Sequence, residues 1–476
     1  MDRRFWLVVS LLSCVSTWAC KAEEDAGDDI TPDGDSDTTT DQDPNNGVKP
    51  PAPYDTLTFT LSDVEVDNPE RAAGFQGKLV RAADGTLFYA YLKQDKVTPL
   101  CDIAVFAGDA APGVPYNVKV AVKGPSDTAF TVESIPLASV PSGGNVPYMT
   151  GRNGIDAAVN PSGQLVVAFP GGGAGLFTCG SSDLVLATRT GAGTYTFAVP
   201  VTGSGAYGTV CADKECCSDP ACSQGQDAGT WPSVAFSGAG ALGVAYVDSH
   251  NVVDEDGSNW QGYEFYESGS VSGIRPWSGS GAYGDLLHDG TTWITAFSKF
   301  NGGGLTVLKN NGTKWEGSDL RPGWGIGERV SLAQAANGRV GLVFFARTNN
   351  QGQEVWDLSY CYSDDGGSTW STPCESIDTR ALRLGANPSL AFDSQSRPVV
   401  SYYFCGADVA CSQDGVRFAW RADDGKWWLF NVHNVNNNRS GYYSSVVLDP
   451  TTDEPTIVFQ DLTRGAAMVA QGKFGN

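Results

Sequence analysis

From about residue 55 onward, short apolar runs and short polar turns follow one another in a fixed order. A strand-length run of small and apolar residues comes first. A turn of Gly, Asn or Asp follows, and then a second apolar run that ends in aromatics. Pro388–Tyr403, PSLAFDSQSRPVVSYY, shows the order most clearly, and Ser444–Phe459, SSVVLDPTTDEPTIVF, repeats it. Pro232–Tyr246, Asp156–Phe169, Ser331–Phe345, Gly284–Phe297 and Gly77–Tyr91 bring the copies to seven. After most copies a second pair of alternating runs surrounds a turn of Asp, Asn and Gly, as in Leu305–Gly317, Leu358–Thr372 and Val416–Phe430. Alternation with a period of two around such turns is the pattern of β-hairpins.

Four strands per unit at spacings near 50 residues predict the blades of a β-propeller. The spacing stretches to 78 and 77 residues early in the chain, where long loops are inserted. The expected fold is all-β, with seven four-stranded blades; six or eight stay open because the first two units are irregular. The last unit is short, ending in Gly465–Phe474, while Asp55–Val66 is a lone strand without a hairpin of its own. That strand is expected to complete the last blade, closing the ring and hiding two edges.

Composition narrows the picture. Gly (58) and Pro (25) form about 17% of the 476 residues, against a usual ~12%. Charged residues reach only 18%, so long amphipathic helices and coiled coils are not expected. A net charge of -23 argues against nucleic acid, whose phosphates must be met by surplus Lys and Arg. A three-His zinc site would have to draw on the scattered His250, His288 and His433. No Ser-His-Asp set is readable, and the Gly-rich Gly171–Phe177 opens no helix.

Residues 1–19 carry Arg3 and Arg4, then the apolar run Phe5–Leu12, then small residues before Cys20, which reads as an export signal. Cys20 after Thr17-Trp18-Ala19 resembles the lipobox of bacterial lipoproteins, which implies a lipidated Cys20 as the mature N-terminus. The family pattern has Leu or Val at the place of Thr17 and a small residue at Trp18. Leu11–Cys14 fits that pattern better but would leave a signal of only 13 residues. Without lipid, the segment is an ordinary secretory signal. Lys21–Pro53 holds ten acidic residues against two Lys, too polar to offset its ordering entropy, so residues 20–53 are expected to be an acidic tether to a folded part at 54–476. The expected location is the bacterial cell envelope, outer membrane or cell surface. The tether accounts for -8 and residues 1–20 for +1, which leaves -16 on the folded part.

Ser363–Trp370, SDDGGSTW, matches the Asp-box of sialidase-like and BNR-repeat propellers, and the chain resembles that family over roughly residues 55–476. Ala422–Trp428 and Asn310–Trp315 look like degraded copies. The resemblance implies a structural role for Ser363, Asp365, Gly367 and Trp370: Asp365 bonds turn amides and Trp370 packs between hairpins.

Setting aside Cys14 in the signal and the lipidated Cys20, ten Cys remain in an exported chain, and disulfides are the default. Cys361 and Cys374 lie symmetrically about the Gly367–Ser368 turn and are expected to pair. Cys405 and Cys411 flank a short loop, and Cys101 and Cys179 are left to each other. Cys211, Cys216, Cys217 and Cys222 form a compact insertion with two bonds of open connectivity; a zinc or iron–sulfur cluster is the alternative.

The long insertions fall on one predicted face, formed by links between blades and loops from second to third strands. The links hold Arg152, Trp231, Tyr283, Trp324, Arg329, Arg439, Tyr442 and Tyr443. Loops on a rigid scaffold are where function concentrates. The first reading is a binding module for a protein or glycan partner, with these aromatic rings and Arg as anchors. The alternative, which the resemblance implies, is a sialidase-like glycoside hydrolase with an arginine triad and a Tyr nucleophile. Arg152, Arg329 and Arg439 would be its triad, but no Glu is placed to activate Tyr442 or Tyr443. Calcium is the one candidate cofactor: Asp254–Asn259, DEDGSN, sets Asp254 and Asp256 at alternate positions before Gly257, although the distal Glu of a helix-flanked calcium loop is missing.

Overall fold

A sheet that is apolar on both faces needs a neighbour on each side, and a ring of sheets gives one to all of them. The computed structural model describes residues 45, 47–67, 73–94, 116–140, 154–172, 182–201, 229–253, 259–268, 277–299, 304–322, 326–350, 353–378, 383–384, 387–405, 413–436 and 440–475. They form a seven-bladed β-propeller of antiparallel sheets. The innermost strands, in blade order, are Phe75–Arg81, Asp156–Val159, Thr230–Phe236, Trp277–His288, Ile326–Gln334, Ser389–Phe392 and Ser440–Leu448.

Two departures from seven identical blades have local causes. Trp277–His288 serves twice: Trp277 and Ser280 pair with blade 3 at Tyr263 and Gly262, while Gly281–His288 pair with the second strand of blade 4. Among the described residues, blade 3 therefore has no separate fourth strand. In blade 6 the innermost strand is split, with Arg383–Leu384 pairing ahead of Ser389–Phe392 on the same partner.

The core is divided among the seams. Among the described residues, buried apolar side chains fall into seven clusters, each spanning two adjacent blades. In blade 5, Leu342 and Phe344 face the seam with blade 4, while Val343 faces blade 6. This explains the near-continuous apolar runs in the sequence: Pro398–Cys405 is buried at every position.

The ring closes as the lone strand predicts. Thr58–Val66 pairs with Ala466–Lys473 and forms the outermost strand of blade 7. The contact begins before residue 54. Asn45 Nδ2–H donates to Leu429 O (2.7 Å), and Leu429 N–H donates to Asn45 Oδ1 (3.2 Å). Tyr54 is buried in the seam between blades 6 and 7, stacked on Trp420 at 4.1 Å.

The hairpin turns lie at one end of the strands, here the turn end. In blade 5, Asp365 Oδ1 accepts from Ser368 N–H (3.1 Å), Thr369 N–H (2.8 Å) and Ser363 Oγ–H (2.7 Å). Its Oδ2 accepts from Thr369 Oγ1–H (2.6 Å). Trp370 packs on the cluster between blades 4 and 5, and Cys361 is disulfide-bonded to Cys374. In blade 4, Asn311 Oδ1 does the work of Asp365, accepting from Thr313 N–H and Lys314 N–H, both at 3.0 Å.

Candidate functional site

The opposite end, the rim end, is shaped by one repeated step at the start of the innermost strands. Gln76 (φ 52°), Gly154 (φ 69°), Trp231 (φ 44°), Tyr283 (φ 56°), Asn387 (φ 54°) and Tyr443 (φ 54°) all have left-handed backbone. In blade 5, Arg329 stands at the same position. The pairing register shifts here in blades 1, 3, 4, 5 and 7. Such a β-bulge bends the strand and re-aims a side chain. Gly takes this backbone freely and Asn readily, while other residues lose about 1–2 kcal/mol. Gly154 and Asn387 follow that preference. Gln76, Trp231, Tyr283 and Tyr443 go against it, and strain of this kind points to a task for the side chain.

Two residues further on, the seven strands bring Lys78, Asp156, Ser233, Asp285, Ser331, Ser389 and Ser445 to the axis. Six of these are acceptors, and each takes the backbone N–H of the next blade. Asp156 Oδ2 accepts from Val234 (2.8 Å), Ser233 Oγ from Leu286 (2.9 Å) and Asp285 Oδ2 from Leu332 (2.7 Å). Ser331 Oγ accepts from Leu390 (3.1 Å), Ser389 Oγ from Val446 (3.1 Å) and Ser445 Oγ from Leu79 (3.0 Å). The seventh residue, Lys78, has no lone pair to offer, and its ammonium lies 3.5 Å from Asp156 Oδ1 instead. An ion pair therefore joins blades 1 and 2 where the other seams have a hydrogen bond from a backbone N–H.

Burial, above all, pushes the Asp156 carboxyl above its ordinary range; Lys78 opposes the rise and the Asp285 charge adds to it. One hydroxyl links the two carboxylates: Ser233 Oγ–H lies 2.8 Å from Asp285 Oδ1 and 3.3 Å from Asp156 Oδ2. Paired carboxylates are what glycoside hydrolysis uses. Here, however, backbone amides already hold them, and serines make the same bonds in blades 3, 5, 6 and 7. That bonding assigns Asp156 and Asp285 to the architecture. Above them opens an axial cavity of about 50 Å³, room for a few water molecules.

Of the rings at this end, Trp231 and Tyr283 line the cavity. Trp231 and Tyr283 are half-buried and tilted against each other at 4.9 Å, packed on the cluster between blades 3 and 4. Tyr443 meets Phe75 edge-on at 4.6 Å, and Tyr442 stacks on Tyr403 at 4.6 Å. Trp231, Tyr283, Tyr442 and Tyr443 thus lie at the expected end, but on innermost strands rather than in the links where they were expected. The left-handed step makes strand residues look like loop residues in the sequence. Arg329 is likewise on a strand. Arg152, Trp324, Arg439, Cys20, Asp254, Asp256, Cys101, Cys179, Cys411 and the Cys211–Cys222 group lie outside the described residues. Cys405 is disulfide-bonded. His288 and His433 sit at opposite ends of blades 4 and 6: His288 Nδ1 accepts from Gly290 N–H in a hairpin turn, and His433 lies near the rim end.

Sequence reasoning missed the acceptor ring, although its signal was present: the residue before the first apolar run of each copy is Ser, Asp or Lys.

No family model and no curated protein matches the chain. Among solved structures, a protein of unknown function from Dyadobacter fermentans is 13% identical, with 88% of this chain and 100% of that one covered and a TM-score of 0.46. An α-L-arabinanase from Penicillium chrysogenum, solved with arabinobiose, is 11% identical, with 87% and 98% covered and a TM-score of 0.47. A Trypanosoma rangeli sialidase, solved with the inhibitor DANA, is 6% identical, with 87% and 59% covered and a TM-score of 0.43. At such identities residue roles do not transfer between chains.

Proposed function

We propose that the chain is an exported, lipid-anchored binding propeller of the bacterial cell surface, which holds a glycan or protein partner on its rim end. The observation that carries this reading is the set of three aromatic residues, Trp231, Tyr283 and Tyr443, kept in left-handed backbone around the axis. Gly and Asn fill the same step elsewhere at lower cost, so packing of the strand alone does not require a ring there. Half-exposed aromatic rings on a rigid frame suit both the faces of sugars and the hot spots of protein interfaces. Lipidation of Cys20 and the acidic segment after it would set the ring off from a membrane.

The test is a glycan array and a pull-down with the full chain made in an oxidising compartment, beside a Trp231→Ala/Tyr442→Ala variant. A ligand retained by the wild type and lost by the folded variant is the expected result. Unchanged retention would remove these residues from the site. The second reading, a sialidase-like hydrolase, rests on the resemblance of Ser363–Trp370 to the Asp-box, because Asp156 and Asp285 already serve as acceptors for Val234 and Leu332 N–H. Turnover of a fluorogenic sialoside would favour it; absence of turnover removes it.

A further inference from the structure

The seam between blades 6 and 7 holds a group of buried polar atoms near its rim end that the proposed binding function does not use. His433 Nε2, Ser440 Oγ and Asp461 Oδ2 are buried atoms with no hydrogen-bond partner among the described residues. Ser440 and Asp461 are fully buried cross-strand partners in blade 7, so their side chains share a face. His433 approaches Asp461 from the outermost strand of blade 6, its side chain 16% exposed, with Nε2 at 3.9 Å from Asp461 Oδ2. The other Asp461 oxygen accepts from Arg464 N–H at 3.1 Å.

A separation of 3.9 Å is too long for a hydrogen bond. It is near the ~3.4 Å that two ligands span when each binds one tetrahedral ion at about 2.0–2.2 Å. We propose that this group is a site for one divalent transition-metal ion of the zinc class, held by His433 Nε2 and Asp461 Oδ2 with Ser440 Oγ as a weaker third donor. Imidazole with carboxylate suits such ions, whereas calcium and magnesium take all-oxygen sets. No three His, Cys, Asp or Glu side chains converge among the described residues, so the third protein donor is the hydroxyl and a coordination position stays open. The ion would clamp blade 6 to blade 7.

Cobalt(II) titrated into the metal-free full chain, read by visible absorption with melting temperature in parallel, tests the site. One equivalent should give ligand-field bands, raise the melting temperature, and be displaced by zinc. His433→Gln and Asp461→Asn should each abolish the bands, and Ser440→Ala, the variant least able to disturb folding, should weaken binding. Melting of the metal-free variants reports whether they are folded. No saturable response in the wild type means that these atoms hold a water molecule only, and overturns the proposal. Binding that persists in both ligand variants, or that shows the charge-transfer absorption of cysteine ligands, places the ion elsewhere and overturns it as well.

Discussion

Asp156 is the residue at which architecture and electrostatics pull in opposite directions. Its Oδ2 is needed as the acceptor for Val234 N–H, yet burial raises its carboxyl above the ordinary range. A folded-state value above the unfolded one means that the folded protein binds the proton more tightly. The favourable contribution is then complete below the unfolded value near 4 and is lost as pH rises through the folded one. Asn keeps an acceptor oxygen and carries no charge. Asp156→Asn should therefore gain stability over the wild type as pH rises from about 4 to 8, although Lys78 loses its partner. Urea midpoints across that range check the sign, and a loss that grows with pH would show that the Lys78 ion pair dominates.

At the scale of the element, the Ser363–Trp370 turn shows how one carboxylate holds a hairpin. Its bonds to Asp365, led by those from Thr369, pull the carboxyl down to about 2. A lowered folded value gives a contribution present above the unfolded value and lost as pH falls through the folded one. Asp365→Ala should lower the melting temperature at neutral pH and change it little at pH 2; the site is exposed, so the loss is modest. Thermal melts at pH 7, 4 and 2 measure it. The turn was legible because its bonds are local: Ser363, Asp365, Gly367 and Trp370 lie within eight residues. The left-handed step was not legible. Trp231 stands beside a long insertion, and a side chain re-aimed by a bulge leaves no mark in a hydrophobic pattern.

For the whole molecule, closure depends on pieces far apart in the chain. Tyr54 fills the seam between blades 6 and 7, packed against Trp420, Phe418 and Phe474. Removing a buried ring costs about 3–5 kcal/mol, so Tyr54→Ala should lose about that much in denaturant unfolding. The Tyr54 hydroxyl is buried with no partner among the described residues, so Tyr54→Phe should be neutral or slightly stabilising. The blades were readable because each copy restates the same order of runs, and the lone Asp55–Val66 segment could only belong to the short last unit. The acceptor ring stayed hidden for the converse reason. Ser445 meets Leu79 only once the circle closes, and Asp285 meets Leu332 only once blades 4 and 5 pack together.

That circle has no required starting point. Gly475 N–H donates to Thr56 Oγ1 at 3.0 Å, so the first and last strands of the folded ring end side by side, at the turn end and away from the aromatic rim. A short linker across that point would allow the chain to be opened at another hairpin, such as Gly366–Gly367, giving a circular permutant. Closure would then pass from blade 7 to blade 5, with the rim unaltered.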